Sequence, residues 1–282
     1  MCGRYASARK RIELLEEFSV QSDEVGEPLE PDYNVAPTKG VYAVLTRRPR
    51  SSAAGEQADE QAGGEQAASA PPAPVRQLRT VRWGLVPSWA KDPSIGSRMI
   101  NARAETVSEK PAFRRAFAHR RCLLPADGYY EWQQPSKAGQ AGQSGKAADR
   151  PGRAAKQPYY IYRADGASLA FAGLYEFWRD RTLPDDHPGA WLTTATIVTT
   201  SAPDELGQIH DRMPMVIGPD AWAEWLDPDN ADAGGLLGLL APAAAGGLIT
   251  RPVSTEVNSV RHNGPQLIEP AEPGPDGPAA EP

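Results

Sequence analysis

Three stretches of this chain cannot contribute to a packed core, and they set the size of what can fold. Residues 51–74 hold no aromatic residue and nothing apolar larger than Ala or Pro, with four carboxylates giving a charge of −4. Residues 133–157 are rich in Gly, Gln, Ala and Lys and carry +4. The tail, 269–282, is rich in Pro, Ala and Glu and again carries −4. Segments of this composition bury too little apolar surface to offset the entropy of ordering them, and all three read as flexible. About 220 residues remain, the size of one domain. The whole chain has a net charge of −6, and the body without the three segments is left near −2. Overall charge therefore draws no polyanion to it, and nucleic-acid binding would need a local Arg cluster.

The broad classes narrow quickly. No apolar run approaches the ~20 residues that cross a bilayer, so no membrane partner is expected. The basic N-terminus, with Arg4, Arg9, Lys10 and Arg11, lacks the apolar stretch of a secretory signal. Cys2 and Cys122 are too few for a disulfide framework, and no Cys/His spacing suits a metal. A protein of a reducing, cytoplasmic compartment without metal or other cofactor is expected. Nothing in the pattern suggests an oligomer, and a monomer is expected.

Within the body, helical spacing over 8–19 pairs Ile12 with Leu15 and Leu14 with Phe18. Helices are also expected over Pro111–Ala118 and from Pro219, the last carrying Trp222, Trp225 and Leu226 on one side. Strand-like runs are Val41–Leu45, Cys122–Leu124, Tyr159–Tyr162, Leu169–Leu174, Trp191–Thr200 and Met213–Ile217. Strands outnumber helices without alternating with them. This predicts an α+β fold with a mainly antiparallel, barrel-like β core and flanking helices.

Met1-Cys2-Gly3-Arg4 carries the most distinctive chemistry. With Met1 removed, Cys2 bears a free α-amine and a thiol on adjacent carbons. The amine titrates near ~8, so much of it is a neutral nucleophile at physiological pH. It forms an imine with an aldehyde, and the thiol then closes a five-membered thiazolidine ring. Taken alone, the dipeptide favours the plain reading of a cysteine that merely follows the start codon. Cys122, in the apolar run Arg121-Cys122-Leu123-Leu124-Pro125, reads as a small buried hydrophobe.

Five further motifs change that weighing. Tyr33-Asn34-Val35-Ala36-Pro37-Thr38 is followed by Arg82-Trp83-Gly84-Leu85-Val86-Pro87-Ser88-Trp89 and by Ile100-Asn101-Ala102-Arg103-Ala104-Glu105-Thr106. Then come Asp127-Gly128-Tyr129-Tyr130-Glu131-Trp132 and Ile209-His210-Asp211-Arg212-Met213-Pro214. In this order they resemble the SRAP family, the SOS-response-associated peptidase domain. The match runs over residues 2–268, interrupted by the inserts 51–74 and 133–157 and followed by the acidic tail. The resemblance implies a DNA-repair enzyme that binds single-stranded DNA and captures the aldehyde of an abasic site through Cys2 as a thiazolidine crosslink, using lyase-type Schiff-base chemistry. It also implies removal of the chain's own Met1, an autopeptidase reading, and a place in the nucleoid.

The resemblance gives the residues roles. Glu131, set between aromatics that tend to raise a carboxyl pKa, becomes the general acid/base. His210 becomes an active-site group for sugar-ring opening and reversal. Asn101 and Arg103, at i and i+2, share one face of a strand. Asn101 would orient the sugar or the Cys2 amine, and Arg103 would hold a phosphate or instead pair with Glu105. Arg4 and Thr199 are expected to meet phosphates. Arg212 would contact DNA or brace the His210 turn. Trp89 and Pro37 would form a platform on which bases stack. Trp83, Trp222 and Trp225 read as core, and His119, His187 and His262 as surface or structural.

The chain also departs from the pattern. Trp89-Ala90 stands where bacterial relatives often have paired tryptophans, which weakens the expected stacking surface. The +4 insert would add salt-sensitive DNA affinity or act as a solvated linker. Phe113-Arg114-Arg115 would add a phosphate contact or form an exposed basic helix face. Two other functions compete: an N-terminal-nucleophile amidohydrolase using the Cys2 thiolate, and a DNA-binding module whose cysteine is incidental.

Overall fold

The structure, a computed structural model, describes residues 2–49, 72–133, 156–240 and 247–271. Most of each low-complexity stretch thus lies outside the described residues. Their described edges are structured. Gln133 pairs with Gln157 at the end of a strand ladder, and Pro270 bridges to Val253. The foldable body therefore extends a little further than composition indicated.

Thirteen strands are described: β1 (Tyr5–Ser7), β2 (Ser22–Asp23), β3 (Asp32–Val35), β4 (Gly40–Arg47), β5 (Val75–Trp83), β6 (Asn101–Arg103), β7 (Arg121–Ala126), β8 (Gly128–Gln133), β9 (Gln157–Arg163), β10 (Leu169–Arg179), β11 (Trp191–Ser201), β12 (Arg212–Pro214) and β13 (Leu248–Pro252). Five of them close a ring. β5, β4, β7, β10 and β11 pair antiparallel in that order, and β11 returns to β5 in parallel through Thr194↔Arg82 and Ala195↔Trp83. Odd-numbered residues of β4, β5, β10 and β11, including Val41, Ala43, Leu45, Val81, Trp83, Phe171, Tyr175, Ala195 and Ile197, and the even-numbered Cys122, Leu124 and Ala126 of β7 point inward and form one apolar cluster with Cys2 and Tyr5. The barrel-like α+β architecture expected from the strand pattern is what the chain adopts.

The opposite face packs a second core beneath four helices, α1 (Arg11–Glu17), α2 (Arg114–His119), α4 (Trp222–Leu226) and α5 (Ala233–Leu239), whereas α3 (Asp204–Gly207) puts Leu206 against the first cluster. Leu14, Phe117, Trp222, Trp225 and Leu236 seal the second core, with Phe18 stacked on Trp222 at 4.5 Å. Trp83 and Trp225 are fully buried, as read from sequence, and Trp222 nearly so. Phe113 is buried while Arg114 and Arg115 are exposed, so that motif is an amphipathic helix entry.

A second sheet, in the order β13–β9–β8–β1–β3, grows from the barrel where β7 continues into β8. Gly128 is obligatory at that bend, because a Cβ there would lie 2.4 Å from the Tyr160 ring and 2.7 Å from the Ile161 carbonyl. This sheet holds the N-terminus in place. Arg4 Nη1 donates to Asn34 Oδ1 at 2.7 Å and to the Val257 carbonyl at 2.8 Å. Asn34, fully buried, donates through Nδ2 to the carbonyls of Val257, Ser259 and His262 at 3.3, 2.9 and 3.0 Å. One amide thus ties β3, the first residues of the chain and the C-terminal segment together. Asn34→Ala leaves several buried partners unsatisfied and is predicted to cost on the order of 3 kcal/mol. Thermal unfolding would show this as a Tm lower by several degrees; a shift below 2 °C would refute the role.

Candidate functional site: the N-terminal cysteine and the end of strand β11

At its C-terminal end β11 has a short strand on each side. β6 pairs with it in parallel through Ile197↔Asn101 and Thr199↔Arg103, and β12 pairs antiparallel through Thr199↔Pro214 and Ser201↔Arg212. The Asn101/Arg103 strand and the His210/Arg212 turn therefore meet at one end of the barrel. The N-terminal segment completes the site from a third direction. β1 pairs with β8 through Tyr5↔Tyr129, and the Tyr130 amide donates to the Arg4 carbonyl at 3.0 Å. This sets Cys2 alongside Glu131.

Cys2 is fully buried with a free thiol, its Sγ 4.0 Å from the Arg4 carbonyl oxygen. Asn101 Nδ2 donates to the Cys2 carbonyl at 2.7 Å, anchoring the residue that carries the thiol. Asn101 Oδ1 is buried without a partner among the described residues, an acceptor aimed into the same site. Burial, reinforced by the neighbouring Glu131 carboxylate, pushes the Cys2 thiol far up. Burial likewise raises Glu131, only 3% exposed, to about 7, with the positive amino terminus offsetting part of the rise. Glu131 is thus poised to give or take a proton near neutrality.

His210 is half-buried, and burial first, then the amino terminus, lowers its pKa. Its Nδ1 accepts the Arg212 amide at 3.0 Å, which leaves the proton of the neutral ring on Nε2. Asp211 Oδ1 also lies 2.9 Å from that nitrogen, but Asp211 is largely exposed and does not set the tautomer. Arg212 is tied down on its other side. It donates to both oxygens of Glu105 at 2.6 and 3.1 Å and to the Thr199 carbonyl at 2.6 Å. Its geometry is that of the brace for the His210 turn.

The remaining expected residues divide. Arg103 is exposed on the strand that carries Asn101, and the Glu105 carboxylate bonds Arg212 rather than Arg103. Thr199 is fully buried, and its hydroxyl lies against the Ala102 carbonyl at 3.4 Å and Arg212 at 3.3 Å, so it presents no donor to a phosphate in this structure. Arg4 is largely committed to Asn34 and Val257 and lies 5.9 Å from the Trp132 ring, which makes it a support for the N-terminus. Pro37 is half-buried beside Thr38, which takes a positive φ of 75°. Trp89 is 61% exposed, and the carbonyl of the next residue, Ala90, accepts the Trp178 indole N–H at 2.7 Å, opposite Leu192 near the start of β11.

Two neighbours of Cys2 were not singled out from sequence. The hydroxyls of Tyr5 and Tyr129 are buried without partners among the described residues, and burial and then the Cys2 thiol raise both phenols. Tyr129 was findable, because it lies two residues before Glu131 on the same strand face. Among the described residues no group of three His, Cys, Asp or Glu side chains could hold a metal, and no helix is long and apolar enough to cross a membrane.

Comparison with known proteins identifies the family and the fold. The family model "SOS response associated peptidase (SRAP)" matches residues 1–260. The abasic site processing protein YoqW of Bacillus subtilis (strain 168) is 35% identical over 269 residues, covering 95% of this chain and 99% of the relative. YedK of Escherichia coli (strain K12), also named an abasic site processing protein, is 29% identical over 275 residues, covering 96% and 100%. HMCES of Gallus gallus, with the same description, is 33% identical over 222 residues, covering 71% and 59%. A crystal structure of a Bacteroides thetaiotaomicron protein superposes with a TM-score of 0.69 at 23% identity, covering 96% and 100%, and so shares the fold. The ring of strands, the buried second-position cysteine and the match along nearly the whole chain place this protein in the SRAP family.

Proposed function

We propose that this protein captures abasic sites in single-stranded DNA as a covalent crosslink through Cys2. The observation that carries the reading is the position of Cys2, held by Asn101 through its carbonyl and set beside a carboxyl that titrates near neutrality. On this reading Met1 is first removed, a hydrolysis for which Glu131 is placed to move the proton. The freed α-amine attacks the aldehyde carbon of the ring-opened sugar. Glu131 protonates the departing hydroxyl, and one water leaves as the imine forms. The Cys2 sulfur then adds to the imine carbon and its proton passes to nitrogen, closing the thiazolidine with no oxidant or reductant. His210, neutral and with its proton on Nε2, assists the opening of the hemiacetal and the reverse reaction.

The raised thiol favours this order over thiolate attack on an amide. A buried, protonated sulfur is a poor opening nucleophile, whereas the adjacent amine needs no low pKa to react. The deciding experiment mixes Met1-free protein with an oligonucleotide bearing one abasic site and separates the products on a denaturing gel without reductant. A shifted band is expected for the wild type and none for Cys2→Ala. Glu131→Gln is expected to slow its appearance about 100-fold. No band from correctly processed wild type overturns the reading, and ammonia release from glutamine would then point to the amidohydrolase.

Two pH effects follow from Glu131. With the acid form working below about 7 and the amine needing to be neutral, the capture rate is predicted to peak between roughly pH 7 and 8. The fall above the peak should vanish in Glu131→Gln. Stability moves as well. The folded state binds the Glu131 proton more tightly than the unfolded chain, so stability is lost as pH rises from 4.5 to about 7. Denaturant titration should find Glu131→Gln stabilised relative to wild type at pH 8 by on the order of 3 kcal/mol more than at pH 4.

A further inference from the structure

The barrel has a second mouth, and it is built differently from the first. β11 pairs with β5 only at Arg82 and Trp83, while β2 takes the same edge of β5 lower down through Ser22↔Gln77 and Asp23↔Leu78. Between these pairings the strands splay and leave a seam at the end of the barrel opposite Cys2. A cavity of about 790 Å³ fills it. Gln77 and Arg79 line one wall, Phe177, Trp191 and Thr193 the other, and Arg47 stands at the opening.

These residues carry a recognisable combination. Trp191 is 58% exposed, an unusual position for so large an apolar side chain at the start of a strand. The Arg47 guanidinium lies 4.8 Å from the Phe177 ring centre and makes no ion pair among the described residues. Arg79 is steadied by Gln77 Oε1 at 2.9 Å and shared with Glu24 at 3.5 Å, the carboxylate of the groove. Cations set beside an exposed indole in an open groove suit a chain that alternates phosphates with flat rings. Trp89 belongs to the same end. Trp178, whose indole N–H bonds the Ala90 carbonyl, is opposite Leu192, and Arg179 is opposite Trp191. Two exposed tryptophans thus flank the start of the β10–β11 ladder.

We infer that the Arg47–Arg79–Trp191 seam is a second contact for single-stranded nucleic acid, in which Trp191 stacks on a base and Arg47 and Arg79 meet phosphates. Position 191 is about 26 Å along β11 from Thr199. Residues 194–200 of β11 are buried, so a strand engaged at both mouths passes around the barrel and spans at least about eight nucleotides at the stacked spacing of ~3.4 Å. This extends the proposed DNA reading to a partner length that the Cys2 site alone does not set.

The test uses the full-length protein and two measurements. Fluorescence anisotropy compares intact four-nucleotide and twenty-nucleotide thymidine strands against wild type, Trp191→Ala and Arg47→Gln. Trp191→Ala is expected to weaken binding of the longer strand about tenfold and leave the shorter unchanged. Arg47→Gln should lower the salt slope for the longer strand by about 1. Capture of an abasic site in a four-nucleotide strand, read on a denaturing gel, should be equal in all three proteins. If both variants bind the longer strand as wild type does, the inference falls, and an acidic peptide that competes for the groove would name its replacement. If wild type captures no abasic site while the length-dependent loss persists, the seam stands and the Cys2 reading falls.

Discussion

The parallel pairing of β11 with β5 and then with β6 is the constraint on which the site depends. β5 reaches β11 at Ala195, the chain leaves for residues 84–100, and it returns to the same edge of β11 two residues further on, at Ile197. The departure needs Gly84, whose φ of 120° is closed to other residues and whose carbonyl side lies against Gly96. A Cβ on Gly84 would sit 2.6 Å from the Gly96 oxygen, and one on Gly96 would sit 2.5 Å from the Gly84 oxygen. Two glycines thus clamp the ends of the excursion together. The clamp delivers Asn101 to the carbonyl of Cys2 and leaves Trp89 at the other end of the strand. Were β6 to slip by one residue, Asn101 would turn to the opposite face and the anchor on Cys2 would be lost.

Burial explains the electrostatics better than any single charge does. Cys2, Tyr5, Tyr129 and Glu131 are all shifted upward with desolvation as the leading cause. The amino terminus, and for Glu131 also Lys156, pull the other way but do not overcome desolvation, while Arg4 bonds Asn34 and Val257 and Arg212 bonds Glu105 and Thr199. The result is a pocket that keeps the thiol and both phenols protonated and brings Glu131 to its titration range near neutral pH. On the proposed reading this suits a reaction whose steps move protons between neutral groups.

How much of this could be read from the sequence depended on whether the signal was local. Trp83, Trp222, Trp225 and Cys122 were legible as core because burial of large apolar groups is a property of their own runs. Asn101 and Arg103 were legible as neighbours because strand periodicity fixes i and i+2. The partners of Thr199 and Arg4 were not legible, because they come from distant segments: Ala102 and Arg212 bond the Thr199 hydroxyl, and Asn34 and Val257 accept from Arg4 Nη1. The pairing of Glu105 was open between neighbours in sequence and went to Arg212, 107 residues away, because β6 and β12 flank the same stretch of β11. The seam at the far mouth had no sequence signature, since it exists only where two strands share one edge of β5.

The two mouths also differ in what burial does. At the first, Cys2 is enclosed, held through its carbonyl by Asn101, with its thiol kept protonated. At the second, an exposed indole stands beside two half-buried guanidiniums, with Glu24 the carboxylate among the described lining residues. On the proposed reading, enclosure gives chemical selectivity, because the aldehyde must enter the site before the Cys2 amine meets it. Exposure gives reach, because stacking and phosphate contact tolerate any sequence. A rigid barrel makes the separation between them a fixed length. On the proposed reading, a strand held at the far mouth raises the local concentration of its own damaged nucleotide near Cys2, so the capture of rare lesions is governed by this spacing as much as by the chemistry of the cysteine.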